Sequence, residues 1–323
     1  RHGLVRDMAY DLQTTDDRRE THRRVGVALR ASSSDRPEES WTVIAQHFHS
    51  AGSARDAVDA YSRAAAETRD LGALEAARRL LGTALELLET LPASDQRRLL
   101  EVTIRLQRAF LSVTMAGNAD PHARADYDAC EQLVQEHSAG PELVDTLVSL
   151  WGYYTALGSL VRSDELLDEI RATGVCDDPV YDAQNHGAKG LVAFLRGDFT
   201  FASRCFAAAD AVRPPGVIEE TEPSRWQFPN DPIAVEDAFR GVLAWQLGDD
   251  DAARRHLRNA RHRAELLPFP HGAFSLCYVL LYGVWVDIEN GDFDRARRSV
   301  DELIGLATRH GFDFWSVSAA MLS

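Results

Sequence analysis

Lysine is almost missing: of 35 lysines and arginines, only Lys189 is a lysine. That bias reflects a GC-rich coding sequence, not a mechanism. Metal-ligand spacing is missing too. The four cysteines, Cys130, Cys176, Cys205 and Cys277, are scattered with no CxxC pair. This argues against a zinc ribbon or a redox dithiol and for reduced, mostly buried thiols. His47 and His49 stand two apart on a helix and point in different directions. His256 and His262, six apart, match a helix face no better, so no metal is expected. No apolar run approaches the ~20 residues that span a bilayer, and no secretory signal opens the chain. The expectation is a cytoplasmic protein without membrane contact. No GxxxxGK[ST] phosphate loop occurs, and no cofactor is expected. Alternating apolar and polar stretches are nearly absent, which argues against strands. The net charge of −15 disfavours non-specific binding to nucleic acid, which depends on neutralising phosphates.

What is present is a recurring unit. A helical segment ends at a glycine, and five residues later an alanine opens the next. The pairs are Gly52/Ala57, Gly72/Ala77, Gly197/Ala202, Gly248/Ala253 and Gly291/Ala296, with Gly158/Ser163 a softened copy. Glycine takes the left-handed conformation that closes a helix. Asp198, Asp249 and Asp292 follow three of these glycines, where a carboxylate caps the next helix. The small alanine lets two helices approach closely. Apolar residues then recur at helical spacing, as in Leu74, Ala77, Leu81, Ala84, Leu85 and Leu88. The pattern predicts an all-α fold of tetratricopeptide-like hairpin repeats forming a right-handed superhelical solenoid. The competing reading is a non-repetitive helical bundle with ordinary glycine caps.

Residues 1–36 read as a helical junction, with one helix to about Gln13 and an arginine-rich helix capped by Asp16. Residues 37–323 read as the repeat domain. Three helices are expected from Ser40 to about Leu91, a long one from Ser94 to about Met115, then helices over 121–138 and 141–158, and two hairpins over about 161–212. Pro121 and Pro141 fit first helical turns. The segment from Arg213 to Asp231 is irregular. Five of its residues are proline or glycine, yet Trp226 and Phe228 distinguish it from a solvated linker. Loops this long inside compact arrays are often functional. Both ends of the chain look cut, as in a fragment of a larger protein.

Chemistry is sparse. Paired acids such as Asp249-Asp250-Asp251 read as caps and solvated charge, no catalytic constellation appears, and a non-enzymatic role follows. The aromatic residues are the best site candidates. Trp151, Tyr153 and Tyr154 share one helix. Trp245, Tyr278, Tyr282 and Trp285 fall on first helices of later hairpins, which line the concave face of such arrays. The candidate groove residues for a protein or small-molecule ligand are Trp151, Tyr154, His186, Trp226, Arg240, Trp245, Tyr278 and Trp285. Helix aromatics are more often core than groove, and both readings stay open here.

Several stretches carry a resemblance. His2-Gly-Leu-Val-Arg-Asp-Met-Ala-Tyr10, then Arg18, Arg19, His22, Arg23 and Arg24, resemble the junction behind the ATPase module of large signal-transduction ATPases. Ala45-Gln-His-Phe48, Ala57-Val-Asp-Ala-Tyr61 and Glu75-Ala-Ala77 resemble the first repeats that follow. Phe228-Pro-Asn-Asp-Pro232, Leu267-Pro-Phe-Pro-His-Gly272 and Arg309-His-Gly-Phe-Asp-Phe-Trp315 resemble the C-terminal helical region of actinobacterial adenylate/guanylate cyclase–ATPase proteins. The resemblance implies a sensing or partner-binding region whose partner is the upstream ATPase/cyclase module of the same chain. Cyclase and ATPase activities do not carry over, because neither catalytic module is present. LuxR-type ATPase regulators share the ATPase-plus-repeat plan. The alternative it implies is an inducer-binding repeat region, with the DNA-binding domain elsewhere in the parent chain.

Overall fold

The computed structural model describes residues 12–32, 41–135, 141–217 and 228–322. Two compact units divide the chain, residues 1–108 and 109–323, and the division falls inside one helix. The described residues contain α-helices and a 3-10 turn and no strand. The predicted helix over about 2–13 lies outside the described residues.

The first unit holds α1 (Thr15–Ser32), α2 (Trp41–Ser50), α3 (Ala54–Asp70), α4 (Leu74–Glu89) and the start of α5 (Asp95–Ala116). Helices α1, α2 and α3 each pack on the next. The cap of α1 is Thr14 rather than Asp16. Its hydroxyl accepts from the Asp17 amide at 3.2 Å and donates to the Asp17 carboxylate at 2.7 Å. This reciprocal pair fixes the cap two residues earlier than Asp16 alone suggested. The stripe from Leu74 to Leu88 is buried as its spacing requires.

The second unit holds the rest of α5, then α6 (Pro121–Gln135), α7 (Pro141–Ala156), α8 (Leu160–Ala172), α9 (Pro179–Leu195), α10 (Phe199–Val212), α11 (Pro232–Gln246), α12 (Asp250–Leu266), α13 (His271–Glu289), α14 (Phe293–His310) and α15 (Asp313–Ala320). Three helices and the turn Val175–Asp177 occupy the stretch expected to hold two hairpins, because Gly174, Asp178 and Pro179 stop one helix and start the next. Helix α7 ends two residues earlier than predicted, and the end of the helix predicted over 121–138 lies outside the described residues. From α6 on, consecutive helices pack together, and α9, α11, α13 and α15 also touch at one remove (α9 on α11, α11 on α13, α13 on α15). Packing at one remove is what stacked hairpins produce when their first helices form one layer.

The glycine–alanine unit explains the turns. At Gly52, Gly197, Gly248 and Gly291 φ is positive. The glycine amide bonds the carbonyl three residues back and the following amide bonds the one five back, as in Gly248 to Trp245 and Asp249 to Ala244, both at 2.9 Å. This closes the orphaned carbonyls of the first helix. Asp198, Asp249 and Asp292 then accept from amides three residues on, at 2.9, 2.9 and 3.2 Å. The paired small residues Ala57, Ala77, Ala202, Ala253, Ala296 and Ser163 are all buried.

Helix α13 departs from the sequence expectation. Over 19 residues, with a mean hydropathy of 1.3, it is long and apolar enough to cross a membrane by those measures. In the fold it packs against α11, α12, α14 and α15 and buries Phe274, Cys277, Val284 and Val286.

Candidate functional site

Helices α7, α9, α11, α13 and α15 of the second unit line a cavity of about 270 Å³. The turn after α5 and the residues leading into α11 complete its wall. Helices are brought to this wall by apolar first-helix faces, and the unit's own glycines then make room. A Cβ on Gly152 would stand 2.7 Å from the Phe228 ring, one on Gly187 2.3 Å from the Glu236 carboxylate, and one on Gly117 2.7 Å from Phe314. No side chain larger than hydrogen fits at these points without displacing the wall.

Eight aromatic residues line the space: Trp151, Phe228, Phe239, Phe274, Tyr278, Tyr282, Phe314 and Trp315. They brace one another by tilted and edge contacts. Phe239 lies 4.8 Å from Tyr282, Tyr278 4.8 Å from Tyr282, and Phe274 5.4 Å from Trp315 between centroids. Such arrays are rigid, since each ring has few rotamers and many neighbours. Burial raises the phenols of Tyr278 and Tyr282, so both remain protonated donors.

Polar groups are few. Glu236, on α11, is buried at the wall and receives Arg213 at 2.7 Å and Arg240 on its other oxygen. Burial pushes its carboxyl upward, and the guanidiniums of Arg240 and Arg213 oppose that shift. Arg240 also bonds Asp210 and the Phe206 carbonyl and lies over the Phe206 ring. Asn118, Asn230 and Trp315 each present a buried polar atom that has no hydrogen-bond partner among the described residues.

The entrance to α11 is fixed by a buried ion pair. Asp231 caps α11 through the amides of Ile233 and Ala234 and accepts from Arg263 Nη2 at 2.9 Å and Nε at 3.2 Å. Its own amide donates to the Ser275 hydroxyl at 2.8 Å. Both charged side chains are essentially inaccessible, at 2% and 0%. Asn230, Pro232 and Ile233 of the cavity wall flank this anchor.

The sequence candidates separate. Trp151 and Tyr278 line the cavity, and Tyr282, noted in the same aromatic cluster, joins them. Arg240 stands behind the wall, bonded to Glu236. Tyr154 faces elsewhere, its hydroxyl bonded to Glu131 at 3.3 Å. His186 sits 3.6 Å from Asp182 one turn earlier on α9. Trp245 donates to Asn290 at 3.1 Å and packs against Val242, Leu257 and Val286. Trp285 is half-exposed and meets Tyr282 edge-on. Trp226 lies outside the described residues. Glu236, Asn118, Phe239, Phe274 and Phe314 were not singled out from sequence. The available signal was the set of helix-interior glycines, Gly152 and Gly187, since such glycines usually have a packing reason.

No group of three or more histidine, cysteine or acidic residues among the described ones is arranged to hold a metal. Cys130, Cys205 and Cys277 are buried, Cys176 is half-buried, and burial pushes the thiols of Cys176, Cys205 and Cys277 upward, away from thiolate chemistry.

Asp145, six residues before Trp151 on α7, is raised to about 6 by burial, with Glu142 adding repulsion. A carboxyl raised in the folded state binds its proton more tightly there than when unfolded. Its charging therefore costs stability as pH climbs from about 4 to about 6, and the cost persists at neutrality. The full shift corresponds to about 3 kcal/mol and partial exposure reduces it to about 1 kcal/mol. Asp145→Asn is expected to stabilise the second unit by about that amount at pH 7 and by nothing near pH 4, measured by urea unfolding at the two pH values.

No protein-family model matches this chain, and no curated protein matches it.

Proposed function

We propose that this chain is the non-catalytic sensor region of a cytoplasmic cyclase–ATPase-type signalling protein, built from tetratricopeptide-like repeats and binding a small molecule inside its second unit. The observation that carries this reading is the aromatic-walled cavity, lined by the five helices α7, α9, α11, α13 and α15. Ligand sites are typically concave, largely apolar and set with a few polar groups, and this space fits that description. A bound molecule touching α7, α9, α11, α13 and α15 at once favours one spacing of those helices. A ligand shifts an equilibrium only by its difference in affinity for the two states, and contacts spread over five helices supply such a difference. The upstream ATPase/cyclase module is the proposed recipient of that bias.

The test is a thermal-shift screen with cyclic nucleotides, ATP, common uncharged metabolites and peptides, followed by calorimetry. A saturable shift is expected, lost in Tyr278→Ala, which opens the wall, and in Ala156→Trp, which fills the rim from an exposed position on α7. A screen without a hit, or a hit unaffected by Ala156→Trp, would overturn the assignment of ligand binding to this cavity.

A further inference from the structure

We infer that the cavity takes an uncharged, flat molecule of about two rings. This rests on the reading of the second unit as a small-molecule binder and narrows it to a chemical class.

Charge decides the first part. Glu236 is the one charged side chain among the described lining residues. Its two oxygens are already taken by Arg213 and Arg240, and the three side chains are 8–13% exposed. Arg240 in turn holds Asp210, so two acids and two guanidiniums balance. An anionic ligand would lie against the Glu236 carboxylate with no cation among the described lining residues to receive it. A cationic ligand would compete for a carboxylate that two arginines already satisfy. Either charge would lose its hydration without an opposite charge among the described lining residues, which is costly.

Shape decides the rest. A wall of mutually braced rings offers its largest gain to a flat apolar body. The volume equals roughly nine waters at ~30 Å³ each, enough for two fused rings and too little for a dinucleotide.

The experiment is a ligand-observed NMR screen of two-ring fragments in equal neutral, anionic and cationic classes. It is anchored by the matched trio indole-3-acetamide, indole-3-acetate and tryptamine, with competition and titration of hits. Neutral fragments are expected to bind at least tenfold more tightly than their charged counterparts. Neutral hits should be lost in Ala156→Trp. A charged fragment that binds as tightly, and is lost in Ala156→Trp, would overturn this ligand class while leaving the cavity a binding site. No binding in any class, or binding that survives Ala156→Trp, would overturn the underlying reading itself.

Discussion

Replacing Arg263 by alanine is expected to destabilise the second unit by about 3–5 kcal/mol, because Asp231 is then left buried and charged without its partner. The side chains share two hydrogen bonds in a site inaccessible to solvent, so the remaining carboxylate does not readily recover hydration in the variant. Asp231→Ala should cost a similar amount and also removes the cap of α11. Arg263→Lys should retain part of the stability, since a lysine keeps the charge and loses the planar two-point contact. Equilibrium unfolding followed by far-UV circular dichroism reads these values. A loss below about 1 kcal/mol for Arg263→Ala would mean that water or another group takes over the carboxylate. The physical consequence extends to the cavity. Asp231 sets the point at which the irregular segment becomes helix, and Asn230, Pro232 and Ile233 beside it form part of the wall.

Trp315→Ala is expected to cost about 3–5 kcal/mol, the range for emptying a fully buried aromatic site. Trp315 is 2% exposed and meets Phe274, Tyr278 and Phe314 at centroid distances of 5.4, 5.9 and 5.0 Å. It is thus a structural brace for α13 and α15. Trp315→Phe should retain most of the stability, because it keeps a ring at the same place. If Trp315→Ala unfolds with the wild-type midpoint, the packing described for α15 does not hold in solution.

The helical repeat unit was legible because it is local. A glycine at positive φ, an acidic residue after it and a small residue five positions on are bound to one another by backbone geometry within a single turn. Gly248, Asp249 and Ala253 need no distant partner to declare themselves. The aromatic candidates were legible only as types. Trp151 and Tyr278 reached the cavity, whereas Trp245 found Asn290, 45 residues away, and Tyr154 found Glu131. Helical phase alone could not separate these outcomes, because each helix packs against several neighbours and so has more than one buried face.

By itself, then, the sequence determined an all-helical chain, the positions of most helix ends and the small residues at the turns, since these follow from contacts within a few residues. Only the tertiary structure decided which aromatics share a cavity, that Glu236 is held between Arg213 and Arg240, and that Arg263 finds Asp231 across 32 residues. Those pairings depend on which hairpin faces meet. Their partners are separated by whole helices, and a periodic pattern carries no record of distances between turns.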